Sequence, residues 1–256
     1  MPKQNYIHPD WPAPSNVKAF TSCRSGGFSA PPFDSFNLAQ HVGDDKNLVN
    51  KNRQLLPNYQ NFTWLNQTHS NICLDLNKLN TITDSPFQAD ACFSTKKSQV
   101  CAVMTADCLP VLFCDQQGTC VASVHAGWRG LANGVIENTV SKMPVNRKSL
   151  MAWMGPTISQ RHFEVGKEIK ETFIDYPQAF SNNNQTTVDK YFANLYLIAK
   201  QKMFNLGIKQ IFGGEYCTYQ QADLFFSHRR ATHQASTNGT NLIATTGRMV
   251  SAIYLD

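Results

Sequence analysis

The 256-residue sequence contains no CxxC pair, so a structural zinc ribbon is excluded and any metal site must be built from dispersed ligands. It also has no uninterrupted apolar run near the roughly 18 residues that span a bilayer. Its opening, MPKQNYIHPDWPAPS, places prolines where a secretion signal needs an apolar stretch. The cytoplasm is therefore the expected compartment, with no membrane partner. Low-complexity tracts, internal repeats, long linkers and single-sign charge runs are absent as well, and only 16% of residues are charged. Disordered and fibrous classes are excluded on that ground. The net charge of +5 is scattered along the chain, so a nucleic-acid partner is not expected.

What is present is a globular composition, 42% apolar, with eight cysteines and seven histidines. In a chain of this length those cysteines read as reduced thiols. Cys73, Cys92, Cys101, Cys114 and Cys120 sit in apolar runs and read as small core residues. Strand-like runs are expected at 16–23, 62–66, 71–76, 99–105, 109–114, 119–125, 149–154, 208–212 and 249–255. Helical spacing links Leu131, Val135, Val140 and Met143, then Ile169 and Phe173, then Phe192, Leu195, Ile198, Ala199 and Leu206 with Gly207 as a stop. A short helix is expected after Asp44 and Asp45, carrying Leu48, Val49, Leu55 and Leu56. Strands clustered in the middle and helices alternating later predict an α+β fold with mixed sheets, in one domain spanning 1–256.

The central feature is TADCLPVLFCD–QQG–TCVASVHAGWRG, two apolar runs joined by a polar turn. A turn centred between Gln116 and Gln117 pairs positions that sum to 233, which sets Cys108 opposite His125. The same register puts Leu109, Val111, Phe113, Cys120, Ala122 and Val124 on one apolar face. A three-residue loop ending at Gly118 would instead oppose Cys108 to Ala126, and Pro110 can break the ladder. A thiol and an imidazole brought together support two chemistries. They can be a nucleophile and its base, or two ligands of a catalytic zinc that keeps an open position. For a third ligand the spacing leaves His8, His41, His69, His162, His228 and His233 open. After His125, Gly127 and Gly130 permit close backbone approach to a ligand, and Arg129 adds cationic donors.

TADCLPVLFCD with SVHAGWRG, GPTISQRHFEVG, CTYQQADLFFSHRR, GRMVSAIYL, CRSGGFSAPPFDSFNLAQHVGDD and WLNQTHSN resembles the bacterial YfiH family, the laccase-domain or multicopper polyphenol oxidase-like proteins regarded as purine nucleoside phosphorylases. The resemblance runs from about residue 17 onward. It implies a four-layer α/β/β/α sandwich like that of a deamidating-toxin catalytic domain, and one zinc ion per chain held by His69, Cys108 and His125. It implies phosphorolysis of adenosine, inosine, guanosine and methylthioadenosine, and hydrolytic deamination of adenosine. Small nucleosides and inorganic phosphate are then the partners, with a monomer favoured. Catalytic candidates are Cys108, His125 and, as a proton donor, Asp107, for which a structural turn carboxylate is the plainer role. Phosphate or substrate candidates are Arg24, His41, Arg53 and Arg129; Arg229 and Arg230 match the family too but can equally tie the C-terminal strand to the sheet.

Two departures stand out. His228 replaces a common tyrosine, and residues 231–246 form a longer link than usual. The family's oxidase label meets an objection in the sequence, because cupredoxin-type laccases gather copper with paired HxH motifs and there are none here. A soft site with one thiolate can still take up copper in vitro. The rival readings are a metal-free cysteine hydrolase using Cys108 and His125, a copper-dependent polyphenol oxidase, and a non-catalytic nucleoside-binding protein.

Overall fold

The computed structural model describes residues 6–79, 87–182, 189–237 and 245–256. Two mixed sheets form its centre. The first has the order β1 (Tyr6–Ile7), β2 (Val17–Ser22), β16 (Met249–Leu255), β8 (Val100–Thr105), β3 (Phe62–Thr63); all neighbours are antiparallel except β8 and β3. The second has the order β15 (Gln210–Gly213), β11 (Leu150–Met154), β9 (Leu109–Asp115), β10 (Val121–Ala126), β7 (Ala91–Ser94), β5 (Cys73–Asp75), with parallel pairs only at its two edges. A small sheet of β12 (Glu164–Gly166), β14 (Lys190–Ala193) and β13 (Phe180–Asn182) and a pair of β4 (Leu65–Asn66) with β6 (Phe87–Gln88) complete the strands.

Three apolar layers hold these parts together. Leu112, Cys114, Val121 and Trp153 of the second sheet meet Cys101, Val103 and Ile253 of the first. On the far side of the second sheet, Leu109, Val111, Phe113, Ala122 and Val124 pack on α2 (Trp128–Ala132), α3 (Val135–Lys142) and α5 (Leu195–Asn205). On the far side of the first sheet, Phe20, Ala102, Val250 and Ala252 are covered by Phe36, Leu38 and Leu56, around α1 (Lys46–Gln54). The result is the expected α/β/β/α layering, and both central sheets are buried on both faces. That explains why β9 and β10 read as continuous apolar runs. No described helix is long and apolar enough to cross a membrane.

The central hairpin departs from its expected register. Val121 lies opposite Cys114 and His125 opposite Pro110, so paired positions sum to 235 and Cys108 falls level with Gly127. The loop is two residues longer than the turn read from DQQG. Gly118 adopts a positive φ of 64°, and the Asp115 carboxylate accepts from the Thr119 and Cys120 amides and the Thr119 hydroxyl. A shift of two preserves the faces, so the apolar set falls on one side as expected.

The helix expected through Leu131–Met143 is broken at Asn133–Gly134, where Gly134 has a φ of 79°. Phe192 belongs to β14 and not to the following helix, which starts at an Asn194 cap. Asp45 caps α1 as its position suggested. α4 (Lys167–Thr172) carries Ile169, and α6 (His228–Thr237) occupies the first part of the long link, whose residues 238–244 lie outside the described ones.

Candidate metal centre

His125 is delivered by the end of β10, Cys108 by the residue just before β9, and His69 by the loop between β4 and β5. Their donor atoms lie within 4.8 Å of one another. The Cys108 Sγ stands 3.9 Å from His69 Nε2, and the two imidazole centroids are 4.9 Å apart. Tetrahedral ligands at roughly 2.0–2.3 Å from an ion stand roughly 3.3–3.8 Å from each other, so a small contraction brings all three onto one centre.

The surroundings fit such an ion. Asp90 is fully buried, and its Oδ1 lies 2.8 Å from His125 Nδ1, which turns Nε2 of the buried ring toward the sulfur side, the usual arrangement behind a ligating histidine. The same carboxylate accepts from the amides of Thr68, His69 and Ser70 and from the Ser70 hydroxyl. These bonds hold His69 at a φ of 60°, a left-handed conformation that a non-glycine residue keeps only under constraint. Burial alone would raise Asp90; hydrogen bonds from His125 and Ser70 outweigh it and hold the carboxyl at about 2. Burial would likewise raise Cys108, but the adjoining His125 and then His69 bring it down to about 6. For His125 burial is outweighed by the Cys108 charge and the Asp90 bond, giving about 9. In the metal-free pair each group thus favours the charged form of the other, the Cys108 thiol being pulled down and the His125 imidazole pushed up.

Gly127 is required by contact. A Cβ there would lie 2.9 Å from Cys108 Sγ and 3.3 Å from the His69 ring, so the backbone packs directly against two of the three ligands.

Two cavities meet at this centre, both bordered by His69, Ala106, Cys108, Arg129 and His228. One, of about 340 Å³, is mixed in polarity and cationic, adding His41, Gln67, Thr105 and Arg248. The other, of about 140 Å³, adds Trp128, Ile158, Phe163 and Leu195 and is mainly apolar. His41 and Arg129 thus line the cleft with the three ligands. Arg24 and Arg53 do not. Arg24 lines a separate surface hollow, where it pairs with Asp34 at 3.1 Å, and Arg53 lies 3.7 Å over the Trp64 ring and donates to the Leu38 carbonyl. Asp107 borders the apolar cavity. Its Oδ1 accepts from Thr218 Oγ1 and its Oδ2 from the Arg229 amide at the start of α6. Arg229 and Arg230 spend their guanidinium donors on carbonyls of 162, 164, 218, 219 and 225.

Of the histidines left open by spacing, His8 bonds the Ala19 carbonyl, while His162 stacks on Tyr219, whose hydroxyl meets His233. Sequence reasoning missed Asp90, Gln67, Arg248 and the apolar lobe. Asp90 gave one signal, an acid set between the apolar residues of QADACF, and Arg248 gave another, its place in the terminal GR pair.

The family model described as "Multi-copper polyphenol oxidoreductase laccase" matches residues 18–256. The chain is 45% identical to a purine nucleoside phosphorylase, YfiH, of Escherichia coli over 256 residues, 97% of this chain and 98% of that protein. It is 41% identical to a purine nucleoside phosphorylase of Haemophilus influenzae, covering 98% and 99%. Among solved structures, a Neisseria meningitidis protein superposes with a TM-score of 0.87 at 39% identity, covering 98% of this chain and 99% of that one. A Bacillus licheniformis YfiH protein gives 0.83 at 27% identity, covering 94% and 93%.

Proposed function

The chain belongs to the multi-copper polyphenol oxidoreductase laccase family, and from that premise we propose that it is a zinc-dependent purine nucleoside phosphorylase, with His69, Cys108 and His125 as the ligands. The observation that carries this reading is the meeting of three ligand side chains at the junction of a cationic and an apolar cavity. A nucleoside plus phosphate needs that pairing of surfaces. The names of the relatives supply the reaction class.

Phosphorolysis breaks the bond from the sugar's anomeric carbon to the base nitrogen and forms a bond from that carbon to a phosphate oxygen. The base leaves with a proton, and ribose 1-phosphate remains. In this proposal the lobe of Trp128, Ile158, Phe163 and Leu195 receives the purine and keeps water from it. Arg129 and His41 attract the phosphate in the other lobe. Asp107 positions Arg229 and α6 at the lip through its two occupied oxygens. A bound divalent ion would add a Lewis acid between the lobes. Adenosine, inosine, guanosine and methylthioadenosine are the proposed substrates, and deamination of adenosine by water a second activity of the same cleft, carried out by a cytoplasmic monomer acting as one catalytic unit over 1–256.

The Cys108 thiol, pulled down beside His125, also favours a rival, a cysteine hydrolase with Cys108 attacking. Metal content separates the two: close to one zinc per chain in protein purified without added metal supports the proposal. Copper together with oxygen-dependent oxidation of a phenol would favour the oxidase reading. Chromatography of inosine and adenosine incubated with and without phosphate should show hypoxanthine or adenine only when phosphate is present, and inosine from adenosine in either case. His69→Ala, Cys108→Ala and His125→Ala should each abolish turnover in folded protein; full activity in two of the three rejects the shared site.

A further inference from the structure

Arg248 differs from the other arginines around the cleft in how its donors are used. It stands immediately before β16, where Met249 pairs with Thr105, and it borders the cationic cavity. Its amide is held by Asn37 Oδ1, and its Nη1 donates to the carbonyls of Thr246 and Gly247. The preceding residue is pinned as well, because a Cβ on Gly247 would lie 2.6 Å from the Phe226 ring.

The guanidinium is thereby fixed through one nitrogen. Among the described residues no hydrogen bond is given by its Nε or Nη2, and no carboxylate lies within ion-pair distance of it. Cys108 and Asp107 act on it only through space, and a half-buried cation with no carboxylate in contact is costly unless an anion joins it. By contrast, every nitrogen of Arg24 is engaged by Asp34 or the Ala222 carbonyl. Beside Arg248, the buried Thr105 hydroxyl has no partner, and Gln67 is locked by both its amide atoms on the Met104 backbone. The field of Arg248 reaches His41 and His228, whose pKa values burial and this arginine both lower.

We propose that Arg248 is the anchor of an anion subsite in the cationic cavity, which receives inorganic phosphate edge-on through Nε and Nη2, and that Arg24 is a framework residue. The two free donors form the fork that matches two phosphate oxygens. Their position is set by backbone carbonyls before the ligand arrives, so little ordering remains for binding. This deepens the phosphorylase reading and rests on it for the identity of the anion.

The test titrates inorganic phosphate into the full-length, zinc-loaded protein by calorimetry, for the parent, Arg248→Gln, Arg248→Lys and Arg24→Gln. Arg248→Gln should weaken phosphate binding about tenfold or more, as expected for loss of a charge-assisted pair of bonds. Arg248→Lys should restore part of it, and Arg24→Gln should leave it within about twofold. In turnover of inosine, Arg248→Gln should raise KM for phosphate and leave KM for the nucleoside nearly unchanged, a split that a merely structural loss would not give. Parent protein that binds no phosphate, or Arg248→Gln that titrates like the parent, overturns the subsite. Phosphate bound through Arg248 without any splitting of nucleoside would uphold the subsite and refute the phosphorylase reading instead.

Discussion

Asp90 shows how one carboxylate organises the metal centre. It touches no ion itself, yet it fixes the His125 ring and holds the loop that presents His69. Asp90→Asn removes the charge and sets a donor against amide hydrogens, so zinc affinity should fall about 10- to 100-fold with the fold retained, as loss of a ligand's supporting partner does; competition with a chelator measures it. Gly127→Ala should lower zinc occupancy by displacing the Cys108 sulfur, seen as less than one ion per chain after dialysis. A fully loaded alanine variant would show that the sulfur has room to move. The hairpin pattern brought Cys108 and His125 to one end of the β9–β10 pair, though through a register that is off by two, and His69 joined them only through the family resemblance; the structure sets all three donors within 4.8 Å. Asp90 was not legible, since its role depends on five donors from four residues that converge only after β7 and the 67–70 loop dock.

The hairpin β9–β10 marks what pattern can decide at the scale of elements. Alternation of apolar residues assigns faces by parity, so Leu109 and Val124 went to the correct side. It cannot count loop residues, and the register slipped by two because the Asp115 carboxylate stabilises a longer loop. Asp115 is 1% exposed and supports two amides and a hydroxyl. Asp115→Ala should therefore cost roughly 1–2 kcal/mol, chiefly by leaving the buried Cys120 amide unpaired. The urea midpoint should drop with an unchanged denaturant slope; no drop would mean that water satisfies the loop. The division of α2 from α3 at Gly134 follows a similar logic, because apolar spacing continued across a break that only backbone conformation reveals. β7, missed altogether, is four residues long and buried throughout, leaving no alternation to read.

At the scale of the whole molecule, the α/β/β/α stack encloses seven of the eight cysteines and leaves Cys108 half-buried at the cleft. Burial raises Cys23 to about 11 and Cys73, Cys114 and Cys120 to about 12. Between the ordinary thiol range near pH 8.5 and those values the folded state binds more protons than the unfolded one. Stability should therefore decline as pH rises across that window, by about 1.4 kcal/mol per pH unit for each such thiol. Thermal unfolding from pH 8 to 10.5 checks the slope, and replacing two of these cysteines by alanine should flatten it. The α+β class with mixed sheets was legible from the order of strand-like and helical runs, whereas the four-layer stack followed only from the family resemblance. Which strands share a sheet was not legible, because β16 joins β2 and β8 across most of the chain. The uneven accessibility of the sulfurs has a practical corollary: a soft electrophile such as an acrylamide, offered to the metal-free protein at neutral pH, would find a single address at Cys108, and a purine-shaped carrier would deliver it there as a covalent inhibitor.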